Sequence, residues 1–337
     1  MKIEIITSIN AKLKETGFGS VLACNDVLTS VTRLGHSVLV TECGSLDDLN
    51  GVVQRNPDLV ILAAKYMPVE NGNDIWFSEY FAQNDISFSG SSRETLKYDS
   101  DKVLAKTHLA NLGIKTAKYF TAIPGEYQTE ESLPLSFPLF LKPTDAANGN
   151  GIDDQSFVKN FLEFESKVLS LYTTYSQPVL VEEYLGGREF TVAVTKSVRG
   201  KMSISAIELV PPISSGKLRI LGATVKAHDT ETLKEIAIGD IDSVRDIAAA
   251  SFQGLGARGF ARIDVKMDNA GICYFMEANL VPGMNRGTSY FPRACNIANA
   301  ISYDKTIQLM LDESFERAIE KQDFNSRLNV HVVRCAV

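Results

Sequence analysis

Histidine is scarce, with 4 in 337 residues, and the 5 cysteines (Cys24, Cys43, Cys273, Cys295 and Cys335) are scattered and odd in number. That leaves too little material for a histidine-built metal cluster. It suits reduced cytoplasmic thiols better than a disulfide framework or a zinc site. No apolar run approaches the ~20 residues a membrane helix needs, and the opening segment Met1 to Thr7 is too short for a secretory signal. A basic excess is missing as well. The 34 Lys and Arg against 41 Asp and Glu give a formal charge of -7 and a pI near 5.3, which argues against a nucleic-acid partner while leaving room for a local phosphate pocket. What remains is the balance of a globular enzyme, 45% hydrophobic and 22% charged, long enough for two or three lobes.

The first ~95 residues alternate strands and helices in the manner of a parallel α/β sheet. Lys2 to Thr7 reads as a strand, and Ser37 to Thr41 and Leu59 to Ala63 as buried strands. Ser20 to Leu34 reads as an amphipathic helix carrying Val21, Leu22, Val27, Leu28, Val31 and Leu34, stopped by Gly35. After Ser89-Gly90-Ser91-Ser92 the spacing predicts a helix from about Asp99 to Leu112. Strands at Ala117 to Ala122, Pro138 to Lys142 and Pro178 to Tyr184 then flank one near Ser156 to Leu171. Long β segments recur from Glu189, with hairpins near Arg199-Gly200 and Asn269-Ala270-Gly271. A helix from Ile241 to Leu255 lies between them, and a last one runs from Tyr303 to Lys321. We expect an N-terminal α/β domain over 1–95, a small central lobe over 96–188 and a C-terminal lobe over 189–337.

Three segments carry chemistry. In Phe260-Ala261-Arg262-Ile263-Asp264-Val265-Lys266, period-two alternation puts Arg262 and Asp264 on one strand face, and in Tyr274 to Asn279 it does the same for Glu277 and Asn279. A tight or bulged turn would bring these faces together. Two carboxylates and an amide oxygen then form a hard oxygen set suited to Mg²⁺, with phosphate oxygens needed to complete the shell. Arg262 beside them can neutralise a phosphoryl group or an oxyanion. The ordinary explanation is a solvated sheet face, but the loop Val281-Pro282-Gly283-Met284-Asn285-Arg286-Gly287-Thr288-Ser289 follows directly, with backbone donors where a substrate would sit.

Phe137 to Pro143 delivers Lys142 at a strand end, ahead of the small-residue loop Thr144 to Gly151. A point charge and approachable amides suit phosphates, though this is not a P-loop and reads alone as a surface turn. Val179-Leu180-Val181-Glu182-Glu183-Tyr184-Leu185-Gly186-Gly187-Arg188-Glu189 is an acidic connector that could meet an adenine edge and ribose hydroxyls, or serve only as a hinge. Lys102 and Lys106 share a helix face at i and i+4, a pair that in isolation reads as solvated. The order and spacing of these segments are those of one nucleotide site.

These residues resemble the ATP-grasp superfamily, and within it the D-alanine–D-alanine ligase group, from about Ser89 to Leu311. Gly259 to Val265, Met276-Glu277-Ala278-Asn279 and Pro282-Gly283-Met284 are the most specific parts. The resemblance implies an N-terminal parallel α/β (pre-ATP-grasp) lobe followed by a two-lobed ATP-grasp fold, with ATP and Mg²⁺ (or Mn²⁺). It implies small amino-acid or carboxylate substrates and suggests a homodimer. By motif match it makes Lys102, Lys142 and Lys226 phosphate lysines, puts Glu182, Glu183, Tyr184 and Leu185 at the adenine and Glu189 at the ribose. Asp264, Glu277 and Asn279 become metal ligands, with Arg262 and the Gly283 amide at the intermediate and Asn285, Thr288 and Ser289 near the substrate.

The chain also departs from the group. Ala63-Ala64-Lys65-Tyr66 stands where a His-Gly pair is usual, and Asn148-Gly149-Asn150 where paired serines are. No Gly-Gly-x-Ser-x-Glu segment is present, Glu15 and Ser20 being loose counterparts, and the loop Asn285 to Tyr290 is one residue longer. ATP and metal parts match while amino-acid parts differ. The expectation is therefore an ADP-forming carboxylate–amine ligase working through an acyl phosphate, with D-alanine or a different amino acid, dipeptide or small acid of specialised biosynthesis as substrate. A non-catalytic ATP-binding regulatory protein is the rival from another class, disfavoured by the complete acid–acid–amide set. A dinucleotide dehydrogenase lacks its Gly-x-Gly-x-x-Gly turn, Gly17-Phe18-Gly19 being the nearest segment.

Overall fold

Alternating small aliphatics in Lys2–Thr7 form β1, which pairs in parallel with β2 (Ser37–Glu42) and β3 (Leu59–Leu62) in the order β2-β1-β3. The computed structural model describes residues 1–8, 17–18, 20–69, 72–146, 149–214 and 218–334. Both faces of β1 and β3 are covered, as a parallel sheet requires, whereas edge strand β2, expected to be buried, leaves Leu39 56% exposed. Ile3, Ile5, Leu59 and Ile61 enter the main core, while Ile6, Val60 and Leu62 enter a second one with Phe77 and Phe81.

Helix α1 (Val21–Arg33) starts where Ser20 accepts the Ala23 amide at 3.1 Å. Its inward face is Ala23, Cys24, Val27 and Val31, whereas Val21 and Leu22 are exposed, so the apolar stripe is narrower than its sequence suggests. α2 (Leu46–Arg55) follows a Ser45–Asp48 capping box that the sequence reading passed over. Two-residue strands β4 (Tyr66–Met67) and β5 (Ile75–Trp76) and helix α3 (Phe77–Gln83) complete the region.

The single helix expected over Asp99 to Leu112 is two. α4 (Arg93–Ser100) ends at Asp101, which leaves helical geometry and caps α5 (Lys102–Asn111) by accepting the Leu104 amide at 2.8 Å. That break sets Lys102 in the first turn of α5. Beyond it, β6 (Tyr119–Ala122), β7 (Leu139–Pro143), β8 (Phe157–Val158) and β9 (Val179–Glu183) form an antiparallel sheet in the order β6-β9-β7-β8. α6 (Phe161–Tyr175) closes a separate core over this sheet through Phe164, Val168 and Leu171. It begins later than the sequence suggests because residues from Asp154 to Val158 make a short turn and strand.

β10 (Glu189–Lys196), β11 (Met202–Val210), β12 (Thr232–Glu235), β13 (Phe260–Met267) and β14 (Cys273–Asn279) form a second antiparallel sheet, ordered β12-β11-β10-β13-β14. α7 (Ala223–His228), α8 (Ile241–Gly254), α9 (Tyr290–Asn299) and α10 (Tyr303–Arg334) accompany it. α9, for which the sequence reading names no helix, carries Pro292 in its first turn, where proline is tolerated. Among the described residues no helix is long and apolar enough to cross a membrane, and Cys24, Cys43, Cys273 and Cys295 are free and buried.

The connector from β9 to β10 is pinned at Gly187, whose amide donates to the Met267 carbonyl at 3.1 Å. A Cβ there would lie 2.7 Å from that same oxygen and closer still to the Asp268 carbonyl. Gly187→Ala is therefore expected to destabilise the fold by about 1–3 kcal/mol, an overpacking strain that backbone cannot easily relieve. The check is a urea midpoint, and an unchanged midpoint would refute the close approach.

Candidate active site

The site grows from the β13–β14 hairpin. Asp268 organises its turn by accepting the amides of Ala270 and Ile272, each at 2.9 Å. A register shift between Asp264 and Val265 sets Asp264 opposite Glu277 and Arg262 opposite Asn279, so both polar faces meet. Arg262 grips Asp264 with a fork of two bonds, Nε to Oδ1 at 3.0 Å and Nη2 to Oδ2 at 2.9 Å. The Thr191 hydroxyl donates to Oδ1 at 2.7 Å.

Burial pushes the Asp264 carboxyl up, against Arg262 and with the repulsion of Glu277 adding. Burial would raise Glu277 too, but Lys102, Lys226 and Lys142 outweigh it and hold that carboxyl at about 2. Buried Asp264 and half-buried Glu277 face each other across the hairpin, a fit for a divalent cation. The Asn279 Nδ2, a donor, is buried with no hydrogen-bond partner among the described residues; the oxygen of the same amide is the atom that would ligate a cation. Among the described residues no group of three or more His, Cys, Asp and Glu could hold a metal, so two acids and one amide need outside oxygens. Asp264 accepts from Arg262 through both oxygens, and Oδ2, with that single bond, keeps a lone pair for a metal.

Across the cleft, the two lysines that read as solvated are buried. Lys102 donates to the Ala146 carbonyl at 3.0 Å and lies 3.7 Å from Glu277 Oε2. Lys106 has no exposed surface and pairs with Glu182 Oε1 at 2.6 Å, while Lys142 takes Oε2 at 2.8 Å. Burial pulls the Glu182 carboxyl up, yet Lys106 and Lys142 hold it at about 2. Burial pulls Lys102 and Lys106 down. The Glu182 side chain is thus ion-paired with two buried lysines, where the resemblance implied an adenine contact. Glu183 and Tyr184 give their amides to the Lys118 and Pro138 carbonyls, so neither amide is offered to a ligand. Glu189 pairs with Lys266 at 3.1 Å.

Two adjoining cavities gather the sequence-designated residues. One is lined by Lys102, Lys142, Glu182 to Leu185, Glu189, Lys226, Asp264 and Glu277. The other, about 590 Å³, is lined by Arg262, Asn279, Gly283, Asn285, Thr288 and Ser289 and shares Lys102, Lys226 and Glu277 with the first. Ser20 donates to Asn285 Oδ1 at 2.7 Å, behind the substrate loop, and Ser289 accepts the Asn285 amide at 2.9 Å. Glu15 and Asn148 lie outside the described residues. Sequence reasoning assigned no role to Lys65, Asp99, Asp145, Glu231 and Tyr290, all on the wall of the second cavity. Only Lys65 carried a signal, as the replacement for a His-Gly pair. It is buried and donates to Asp99 at 2.8 Å and to the Ser100 hydroxyl at 3.2 Å.

Residues 109–312 match the family model described as D-ala D-ala ligase C-terminus. An uncharacterized protein of Sinorhizobium fredii is 26% identical over 240 residues, covering 69% of this chain and 67% of its own. A D-alanine–D-alanine ligase of Gloeobacter violaceus is 26% identical over 321 residues, covering 94% and 100%. The structure of D-alanine–D-alanine ligase from Bacillus anthracis complexed with ATP superposes with a TM-score of 0.73 at 21% identity, covering 95% of this chain and 99% of that one. The likeness gives the fold, a parallel α/β unit followed by a two-lobed ATP-grasp arrangement.

Proposed function

We infer the reaction from one premise: this chain belongs to the D-ala D-ala ligase C-terminus family and is an ATP-dependent ligase of the ATP-grasp fold. The reading is an ADP-forming carboxylate–amine ligase. A substrate carboxylate oxygen attacks the γ-phosphorus of ATP, the bond to ADP breaks, and an acyl phosphate forms. An amine nitrogen then attacks the acyl carbon, inorganic phosphate leaves, and the amine gives up a proton. The proposed division of labour is 1–95, 96–188 and 189–337, with nucleotide between the second and third units.

The observation that carries this reading is the convergence of Asp264 and Glu277, as cross-strand partners, on a cavity that Lys102, Lys142 and Lys226 also line. In this reading Lys102, Lys142 and Lys226 neutralise phosphate oxygens, and Glu183 to Leu185 with Glu189 flank the nucleoside. Glu182 acts through the two lysines it fixes. Asp264, Glu277 and Asn279 would hold Mg²⁺ or Mn²⁺, which when bound supplies charge neutralisation at the transferring phosphoryl group. Arg262 and the Gly283 amide face the oxyanion, and Asn285, Thr288 and Ser289 the amino-acid substrate. No protein nucleophile is involved; positioning and fixed charge do the work.

D-alanine is the leading substrate, by the names of the relatives. A larger amino acid or a dipeptide is the second reading, favoured by the volume of the second cavity and by Lys65 in place of a His-Gly pair. The test is ADP and phosphate release with ATP, Mg²⁺ and a panel of D- and L-amino acids and dipeptides, with product masses read by mass spectrometry. The expected outcome is ADP formed in step with a product one water lighter than its two substrates. ATP bound without ADP formation across the panel would overturn the ligase reading.

A further inference from the structure

Glu231 lies immediately ahead of β12 on the wall of the larger cavity and is 6% exposed. Its Oε1 accepts a hydrogen bond of 2.6 Å from the Tyr290 hydroxyl. Its Oε2 is buried with no hydrogen-bond partner among the described residues. A carboxylate oxygen left without a donor costs far more than a satisfied one, because it has lost water and gained nothing. Buried acids of this kind are kept where a partner arrives from outside.

The surroundings define what that partner must be. Asp229, two residues earlier on the same wall, is already neutralised by Arg293 at 2.6 Å. Arg262, whose guanidinium carbon lies 5.6 Å from the Tyr290 ring centroid, has its fork engaged on Asp264. Lys226 faces the Asp264–Glu277 pair, which feels its charge. No Lys, Arg or His among the described residues forms an ion pair with Glu231. A cation with N–H donors, small enough to reach a wall position through the cavity, would supply the donor that Oε2 lacks.

We propose that Glu231, steadied by the Tyr290 hydroxyl, is a specificity-determining residue that binds the ammonium group of the amino-acid substrate. This rests on the ligase reading for the identity of its ligand, and the residue is distinct from the proposed metal, phosphate and oxyanion groups. It explains how a cavity with several cations can still select an amine-bearing substrate over a hydroxy acid of the same shape. The site's carboxylate is left unsatisfied by a hydroxyl-bearing analogue that brings no charge.

Glu231→Gln separates this role from a structural one, since the amide oxygen still accepts from Tyr290 while the charge is gone. Binding is measured by calorimetry on the full chain with Mg²⁺ and a non-hydrolysable ATP analogue. The ligands are matched pairs, alanine with lactate and phenylalanine with phenyllactate, in both hands. The native protein is expected to prefer at least one amino acid to its hydroxy-acid partner by roughly tenfold or more, and E231Q to lose that preference with ATP-analogue affinity unchanged. Absence of any preference in the native protein, or its survival in E231Q and in Glu231→Ala alike, overturns the assignment. ADP release is followed on the same ligands. A preference that vanishes in E231Q while no ligand supports ADP formation upholds the Glu231 site and sinks the ligase reading instead.

Discussion

Arg262→Ala should lower kcat for ADP-coupled ligation by roughly 10²–10³ while leaving the KM for ATP nearly unchanged. Arg262 sits on β13 two residues before Asp264, beside the register shift that aligns the hairpin. Burial alone would weaken its charge, but Asp264 and then Glu277 more than compensate and raise its pKa, so the guanidinium stays charged. A fixed cation in a water-poor cavity stabilises charge that develops late, in the tetrahedral intermediate, more than charge already present in bound ATP. That is why the loss should appear in turnover rather than in nucleotide affinity. Arg262→Lys should recover only part of the rate, because an ammonium cannot reproduce the planar two-bond fork on Asp264. Stopped assays at saturating ATP decide the matter, with a melting curve to confirm that the variant folds. Full turnover in Arg262→Ala would remove Arg262 from the chemistry.

The hairpin that carries this prediction was legible because alternation along a strand is local. Arg262 and Asp264, and Glu277 and Asn279, declare their shared faces by spacing alone, and the turn residues fix which face meets which. Strand β1 and helix α1 were legible for the same reason, each being set by its own periodicity and cap. Pairings made across the chain were not. Nothing near Lys106 announces Glu182, 76 positions away, as its partner, so a lysine on an amphipathic turn reads as solvated until the central sheet packs over α5. Lys65 and Asp99 meet only because β4 and the end of α4 converge on one wall. Glu231 follows α7 in a polar run, TETLKE, where a buried acid looks like any surface acid. The connector shows the same limit: resemblance places Glu182 at a nucleotide, while the lysines it pairs with lie 76 and 40 positions away in the chain.

Glu182→Gln should destabilise the fold by about 3–5 kcal/mol, since it strands two buried lysines against each other. Lys106 and Lys142 are 0% and 2% exposed, and Glu182 joins them through separate oxygens. The pH dependence should follow the same two ion pairs. The folded carboxyl sits at about 2 against an ordinary 4.5, the two lysines outweighing burial. A lowered folded pKa means stabilisation that is complete above pH ~4.5 and lost as pH falls toward 2, worth about 3 kcal/mol. Denaturant titrations at neutral and acid pH should therefore show the native protein losing this increment on acidification, with the variant starting low and losing less. Removing one lysine as well should recover part of the loss. Lys106→Met with Glu182→Gln leaves Lys142 as the one remaining lysine of that triad, and a methionine fills the space that Lys106 packs. If Glu182→Gln alone unfolds within 0.5 kcal/mol of the native protein, the two lysines are not held by that carboxylate. The position of Lys142 on the cavity wall would then need another source.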